Sequence, residues 1–243
     1  MKLHIFNPEN DLALADGGFS YCPPPAAMRI AYELASLPLW YACSDDVVSF
    51  PAGHADFRGD MAELFSLPKV YTTSMQQNVS SLSPWGWSAQ MHHRFKAMGF
   101  DRALLPTDVQ IQKIRNLSSR VLTIEILTAL RDAGIDTPPL PQYIDNLDDA
   151  VAFVNSHARC VVKAPWSGSG KGIMWGLGCA EEPMVNFCKG VIRRQGGVVC
   201  EHFLNAIQEF AMEFYADDSG VSFAGYSLFT AENGAYSGNL IAT

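Results

Sequence analysis

The chain lacks several things that would have named a class. None of its six cysteines, Cys22, Cys43, Cys160, Cys179, Cys188 and Cys200, forms a Cys-x-x-C pair, which excludes the common zinc-finger and thioredoxin-like patterns. Several stand in apolar stretches and are read as reduced core thiols. Hydrophobic residues make up 48% of the 243 residues, yet no uninterrupted apolar run approaches the roughly 20 residues needed to cross a membrane, so that share is expected in a buried core. Positive charge is scarce too. Seventeen Lys and Arg against 25 Asp and Glu leave a net charge of −8, too acidic for a nucleic-acid partner. The start, Met1-Lys-Leu-His-Ile-Phe6, turns polar at Asn7-Pro-Glu-Asn-Asp11 too soon to hold a secretory apolar core, and the expected compartment is the cytoplasm.

What the chain does contain is concentrated in Val161-Val-Lys-Ala-Pro-Trp-Ser-Gly-Ser-Gly-Lys-Gly-Ile173. Two β-branched residues lead to Lys163, and three glycines then alternate with small or cationic residues. Glycine tolerates the positive φ values from which a concave nest of backbone N–H groups is built, so the loop suits phosphate, with Lys163 and Lys171 neutralising it from two sides. A plain surface hairpin remains the alternative. The segment is not a P-loop, because Pro165 stands where the first glycine belongs and Gly172 where Ser or Thr must hold magnesium. A dinucleotide fingerprint on Gly168-Ser-Gly-Lys-Gly-Ile173 places its third glycine one residue early, and Met174-Trp-Gly-Leu reads as strand where that motif needs helix.

Periodicity predicts an α/β chain. A buried strand at Leu3–Phe6 runs into the polar turn Asn7–Leu12, a helix starts after Pro23-Pro-Pro25 and runs to Leu37, and strands lie near Leu39–Ala42 and Val47–Phe50. Helices are expected over Asp60–Phe65, Trp87–Met98 and Ser118–Ala133, with a boundary near residues 105–118. Asp148–Ser156 and Met184–Gln195 read as helices flanking the glycine hairpin. Val198–Cys200, Glu209–Ala216 and Val221–Phe229 follow as strands, with Asp217–Gly220 as a turn. The stretch from Tyr226 to Thr243 shows no closing helix or further strand, as though a segment were missing.

In this order the parts resemble the ATP-grasp superfamily of carboxylate–amine ligases. The likeness covers roughly Ser118 to Ala216 and comprises Asp132-Ala-Gly-Ile-Asp-Thr-Pro138, the strand ending at Lys163 with its glycine flap, Val198-Val-Cys-Glu-His-Phe-Leu204, and Glu209. It implies an α/β (α+β) architecture with a pre-ATP-grasp-like unit at 1–115 and a partial ATP-grasp domain at 116–243, whose lid spans about 140–198. It also implies roles. Lys163 would meet the α-phosphate and the adenine edge, while Ser167, Gly168, Ser169, Gly170 and Lys171 would close over the outer phosphates. The backbone of Glu201, His202, Phe203 and Leu204 would pair with adenine, Glu209 would hold ribose, and Val161, Ile173 and Phe203 would enclose the base. The second phosphate cation of the family has no lysine here, and Arg120 is the nearest candidate, about one turn early.

The implied cofactors are ATP and Mg²⁺, and the implied partners are small-molecule or peptide carboxylates and amines. The family's Glu-x-Asn metal pair occurs nowhere in the chain, so no metal ligand is assigned and the ligands are expected beyond residue 243; Glu213, Glu232 and Asn239 are stand-ins that strand and turn chemistry also explains. Three readings follow: an ATP-dependent ligase working through an acyl phosphate, a non-catalytic nucleotide-binding or scaffold protein, and a nicotinamide-dependent oxidoreductase. The last requires that the glycine loop not join antiparallel strands.

Overall fold

Leu3, His4 and Ile5 are all buried, which marks the first strand as covered on both faces, the environment of a parallel sheet between layers. The computed structural model describes residues 1–54, 56, 58–168, 170–208, 210–232 and 235–241. The chain divides into two units, Met1–Ile126 and Leu127–Thr243.

In the first unit β1 (Lys2–Ile5), β2 (Val47–Val48), β3 (Lys69–Val70) and β4 (Ser81–Pro84) form a parallel sheet in the order β3-β2-β1-β4. Its helices are α1 (Asn10–Asp16), α2 (Pro25–Glu33), α3 (Met61–Leu64), α4 (Ala89–Ala97) and α5 (Asp108–Leu117); α6 (Leu122–Asp132) follows. The Ser88 hydroxyl accepts the Met91 N–H to start α4, and Gly99, at φ +83°, lies just beyond its end. Met91 and Phe95, one turn apart, are fully buried and pack with Leu3, Ile5, Val47 and Leu82.

Three local expectations are corrected. Leu37–Trp40 is a 3₁₀ turn rather than the start of a strand, because Pro38 has no N–H for a ladder and fixes φ near the helical value. The helix after the prolines ends at Glu33. The expected helix from Ser118 is only its later part: the Ser118 hydroxyl donates back to the Ile114 carbonyl, and the Ser119 hydroxyl accepts the Val121 N–H. Serine thus competes with the helical backbone and separates α5 from α6. The start of α5 is written in Thr107-Asp-Val-Gln110, a reciprocal capping box inside the 105–118 interval.

The second unit holds β5 (Gln142–Ile144), α7 (Leu147–Ser156), β6 (Cys160–Lys163), β7 (Ile173–Gly176), α8 (Glu182–Gln195) and β8 (Val198–His202). The strands form an antiparallel sheet in the order β5-β8-β6-β7. Cys160, Val162, Met174, Val198 and Cys200 pack against Phe153 and Val154 of α7 and Met184, Cys188 and Val191 of α8. The alternate residues therefore belong to the other face. A second antiparallel sheet, β11-β10-β9, is made from β9 (Phe210–Asp217), β10 (Gly220–Glu232) and β11 (Ala235–Ile241). The terminal stretch does supply a strand, against expectation: Ser227–Glu232 pairs with β11 across a register shift at Thr230/Ala231, an irregularity that hides the alternation in the sequence.

The cysteines divide evenly. Cys160, Cys188 and Cys200 are buried, and burial pushes the Cys188 and Cys200 thiols up to about 11 and about 12, so they stay protonated and inert. Cys22, Cys43 and Cys179 are exposed, which corrects their reading as core thiols; Cys22 precedes the triple proline and Cys43 lies in a turn. Among the described residues no helix is long and apolar enough to cross a membrane.

The ends of β1 and β4 are tied by one fully buried side chain. Asn7 donates through Nδ2 to the Gly86 carbonyl at 2.9 Å, and its Oδ1 accepts the Gly86 N–H at 3.2 Å. Asn7→Ala removes both bonds and is expected to cost about 2–3 kcal/mol. Urea denaturation followed through the amide signals of β1 and β4 checks this; a loss within about 0.5 kcal/mol would show that the tie carries no weight.

Candidate functional site

The antiparallel registers decide what meets on the open face of the second unit's sheet. Val161 stands opposite Trp175 on one side and Glu201 on the other, and Lys163 stands opposite Ile173 and Val199. Lys163 and Glu201 are thus diagonal neighbours on one face, within reach of long side chains. Their charges meet: Lys163 Nζ donates to Glu201 Oε2 at 2.5 Å, with the two side chains 25% and 21% exposed. A lysine at one strand end and a glutamate on the adjacent strand therefore form one charged centre.

Above Lys163 the chain turns. The Ala164 N–H donates to the Gly172 carbonyl at 2.8 Å, and the Lys171 N–H donates to the Gly168 carbonyl at 3.1 Å. Gly170 and Gly172 hold φ of +71° and +90°, and a Cβ on Gly172 would collide with the Ser167 side chain. Both positions are closed to ordinary side chains. Ser167, Gly168, Gly170 and Lys171 thus sit in one loop joining β6 to its antiparallel partner β7, with Gly170 and Lys171 exposed. This geometry removes the oxidoreductase reading, since a dinucleotide loop joins a parallel strand to a helix.

Beyond Glu201 the strand runs out through His202 to Phe203 and Leu204. Phe203 carries the Arg159 guanidinium 3.5 Å from its ring centroid and meets the Trp175 ring edge-on at 5.7 Å, which extends the Lys163 face. The His202 ring belongs to the opposite side, 4.6 Å from His157 and 6.2 Å from Phe153, so only its backbone borders the Lys163 face. Leu204 is exposed. Arg120 belongs to the first unit, in the turn between α5 and α6. Ser169 and Glu209 lie outside the described residues.

One contact had no signal in the sequence. Gln195, the last residue of α8, accepts the Trp166 N–H at 2.9 Å and donates to the Trp166 carbonyl at 3.1 Å, fastening the root of the glycine loop 29 positions away. Gly196, at φ +86°, ends the helix there, and Gly197 lies against the Tyr143 ring, where a Cβ would clash. Arg159 and Trp175 also escaped notice, because neither position looks unusual until β6, β7 and β8 are aligned.

No carboxylate cluster accompanies the charged pair among the described residues. Glu213 and Asn239 are exposed strand residues, and the Glu232 side chain lies outside the described set. The metal-ligand cluster found among the described residues is Cys43, Asp45 and Asp46, in the first unit. Asp46 is already engaged by the Lys2 N–H at 2.7 Å and His4 Nε2 at 3.1 Å; burial opposes its ionisation, but these bonds and the Cys43 contact hold its carboxyl below the usual range.

The sequence matches no family model and no curated protein. Solved structures do match. The N5-carboxyaminoimidazole synthetase from Staphylococcus aureus, complexed with ADP, aligns over 97% of this chain and 56% of its own at a TM-score of 0.51 and 15% identity. The biotin carboxylase domain of the Hydrogenobacter thermophilus 2-oxoglutarate carboxylase, in complex with MgADP, ADP and bicarbonate, aligns over 96% of this chain and 51% of its own at a TM-score of 0.52 and 12% identity. The chain spans about half the length of the structures it matches. The ordered lysine strand, glycine hairpin and Glu201 strand, set in this topology, identify the chain as having the ATP-grasp fold.

Proposed function

We propose that the chain binds ATP against the Lys163 face and is the nucleotide-binding part of an ATP-dependent ligase. The observation that carries this reading is the Lys163–Glu201 pair standing at the root of a glycine hairpin, on the sheet face away from α7 and α8. A cation at a strand end and a loop of small residues suit a phosphate chain. The strand edge past Glu201 offers backbone groups and the Phe203 and Trp175 rings to a purine.

The reaction class that fits is carboxylate activation. A carboxylate oxygen of the substrate attacks the γ-phosphorus, the bond to the β,γ-bridging oxygen breaks, and ADP leaves. An amine then attacks the acyl carbon, phosphate departs with the bonding pair, and the amine loses a proton. Charge develops on phosphate oxygens in the first step. Lys163 and Lys171 supply the compensating positive charge, and the flap excludes water that would hydrolyse the acyl phosphate. ATP in such reactions travels with magnesium; the described residues of the second unit offer no carboxylate set for it, and no step is assigned to a metal held by this chain. The substrates are a small-molecule or peptide carboxylate and an amine, with Arg120, Ser169 and Glu209 keeping the roles that the family resemblance gives them. The scaffold alternative draws only on the absent Glu-x-Asn pair and the missing second lysine.

Lys163→Ala is expected to weaken MgATP binding by the 243-residue chain by roughly 1–3 kcal/mol, the scale of a lost charge-assisted hydrogen bond. Isothermal titration calorimetry measures it, and unchanged affinity would count against the assignment. Gln195→Ala should loosen the flap root. Faster amide exchange over Trp166–Gly172 and an affinity loss of about 1 kcal/mol are expected, with α8 intact; exchange rates equal to those of the parent protein would show that the clamp does not position the flap.

A further inference from the structure

The first unit carries a second polar centre that the nucleotide reading does not use. Its chain runs outward from β1 through β2 to β3 and then returns to β4 on the other flank of β1, so the strand order reverses between β1 and β4. The carboxyl ends of the strands at such a switch point are where α/β sheets bind ligands. The two loops here are Phe6–Glu9, after β1, and Trp85–Ser88, after β4.

Asn7 spends its whole amide on stitching these loops together through Gly86, and its role is structural. Its neighbours have no such explanation. Glu9 is 3% exposed, and its Oε2 has no hydrogen-bond partner; Asn10 Oδ1 and Gln90 Oε1 are likewise buried and unpartnered. The Asn10 amide lies directly against Gly86, where a Cβ would displace it, and Gln90 is the second residue of α4, the helix that packs on α1. Asn10 and Gln90 are half-buried, so the centre lies close to the surface. Burial pushes the Glu9 carboxyl up, with a hydrogen bond from its own backbone and then Arg94, further along α4, drawing it partly back. Buried polar atoms are nearly always paired, and three orphans at one loop junction call for a guest.

All three orphans are acceptors, so the guest must donate. Water donates two hydrogen bonds, whereas a primary ammonium group donates three and brings the charge that a buried carboxylate favours. We propose that Glu9, Asn10 and Gln90 form a binding site for the primary ammonium group of a small molecule at the β1–β4 switch point. The site stands apart from the nucleotide reading and does not depend on it.

The test uses the ¹⁵N-labelled 243-residue protein titrated with methylammonium chloride and, separately, with tetramethylammonium chloride at matched ionic strength. Methylammonium should shift the Asn10 and Gln90 side-chain amides and the Gly86 amide saturably, and tetramethylammonium, equally charged but without N–H donors, should not. Glu9→Gln should weaken methylammonium binding at least tenfold. No saturable shift at these amides, an equal response to tetramethylammonium, or undiminished binding by a folded Glu9→Gln protein would overturn the proposal. Should that variant fail to fold, the comparison of the two cations on the parent protein decides.

Discussion

Everything assigned to the second unit depends on the meeting of Lys163 with Glu201 across the β6–β8 ladder. A lysine ammonium and a carboxylate three-quarters removed from water hold each other in one geometry, and that geometry exists only if the antiparallel register is right. A slip of one residue would turn Lys163 into the packing between the sheet and its helices, where the described neighbours are apolar. On the proposed reading the pair also sets the terms of phosphate binding: Lys163 already has an anion, so a phosphate group would gain its charge only by sharing or displacing Glu201.

The sheet that carries the pair separates two jobs by alternation. One face is apolar, with Val162, Val198 and Cys200 sealed beneath α7 and α8, and this packing makes the strands rigid. The opposite face carries Lys163, Glu201, Phe203 and Trp175 beside the buried Val161 and Val199. The glycine hairpin lies outside that packing, in the connection between β6 and β7. Gln195 marks the border between the two regimes: its amide holds Trp166, and two residues further on the glycines begin.

The glycine hairpin, its flanking strands and the helices α7 and α8 were legible in the sequence because several independent signals coincide there: β-branched runs, three glycines, and Gly196-Gly197 after an amphipathic stretch. The β6–β8 register was not, yet only that register turns Lys163 and Glu201 from two motif positions into a pair. Elsewhere a dominant local feature misled. Pro38 overrode the apolar run that looks like a strand at Leu39, and Ser118, which suits the start of a helix, instead bends back to the Ile114 carbonyl to finish one. The last strand was obscured by the register shift near Thr230, which breaks the period of two. Gln195 could not be found at all, since a side chain that bonds to backbone atoms leaves no mark on its partner's identity.

The most direct measurement of the central claim is covalent. An acyl phosphate of ATP transfers its acyl group to lysines lying beside a bound phosphate chain, and the account predicts labelling of Lys163 and Lys171 that excess ATP suppresses. ATP-protectable label on other lysines, or no protectable label on either of these two, would contradict it.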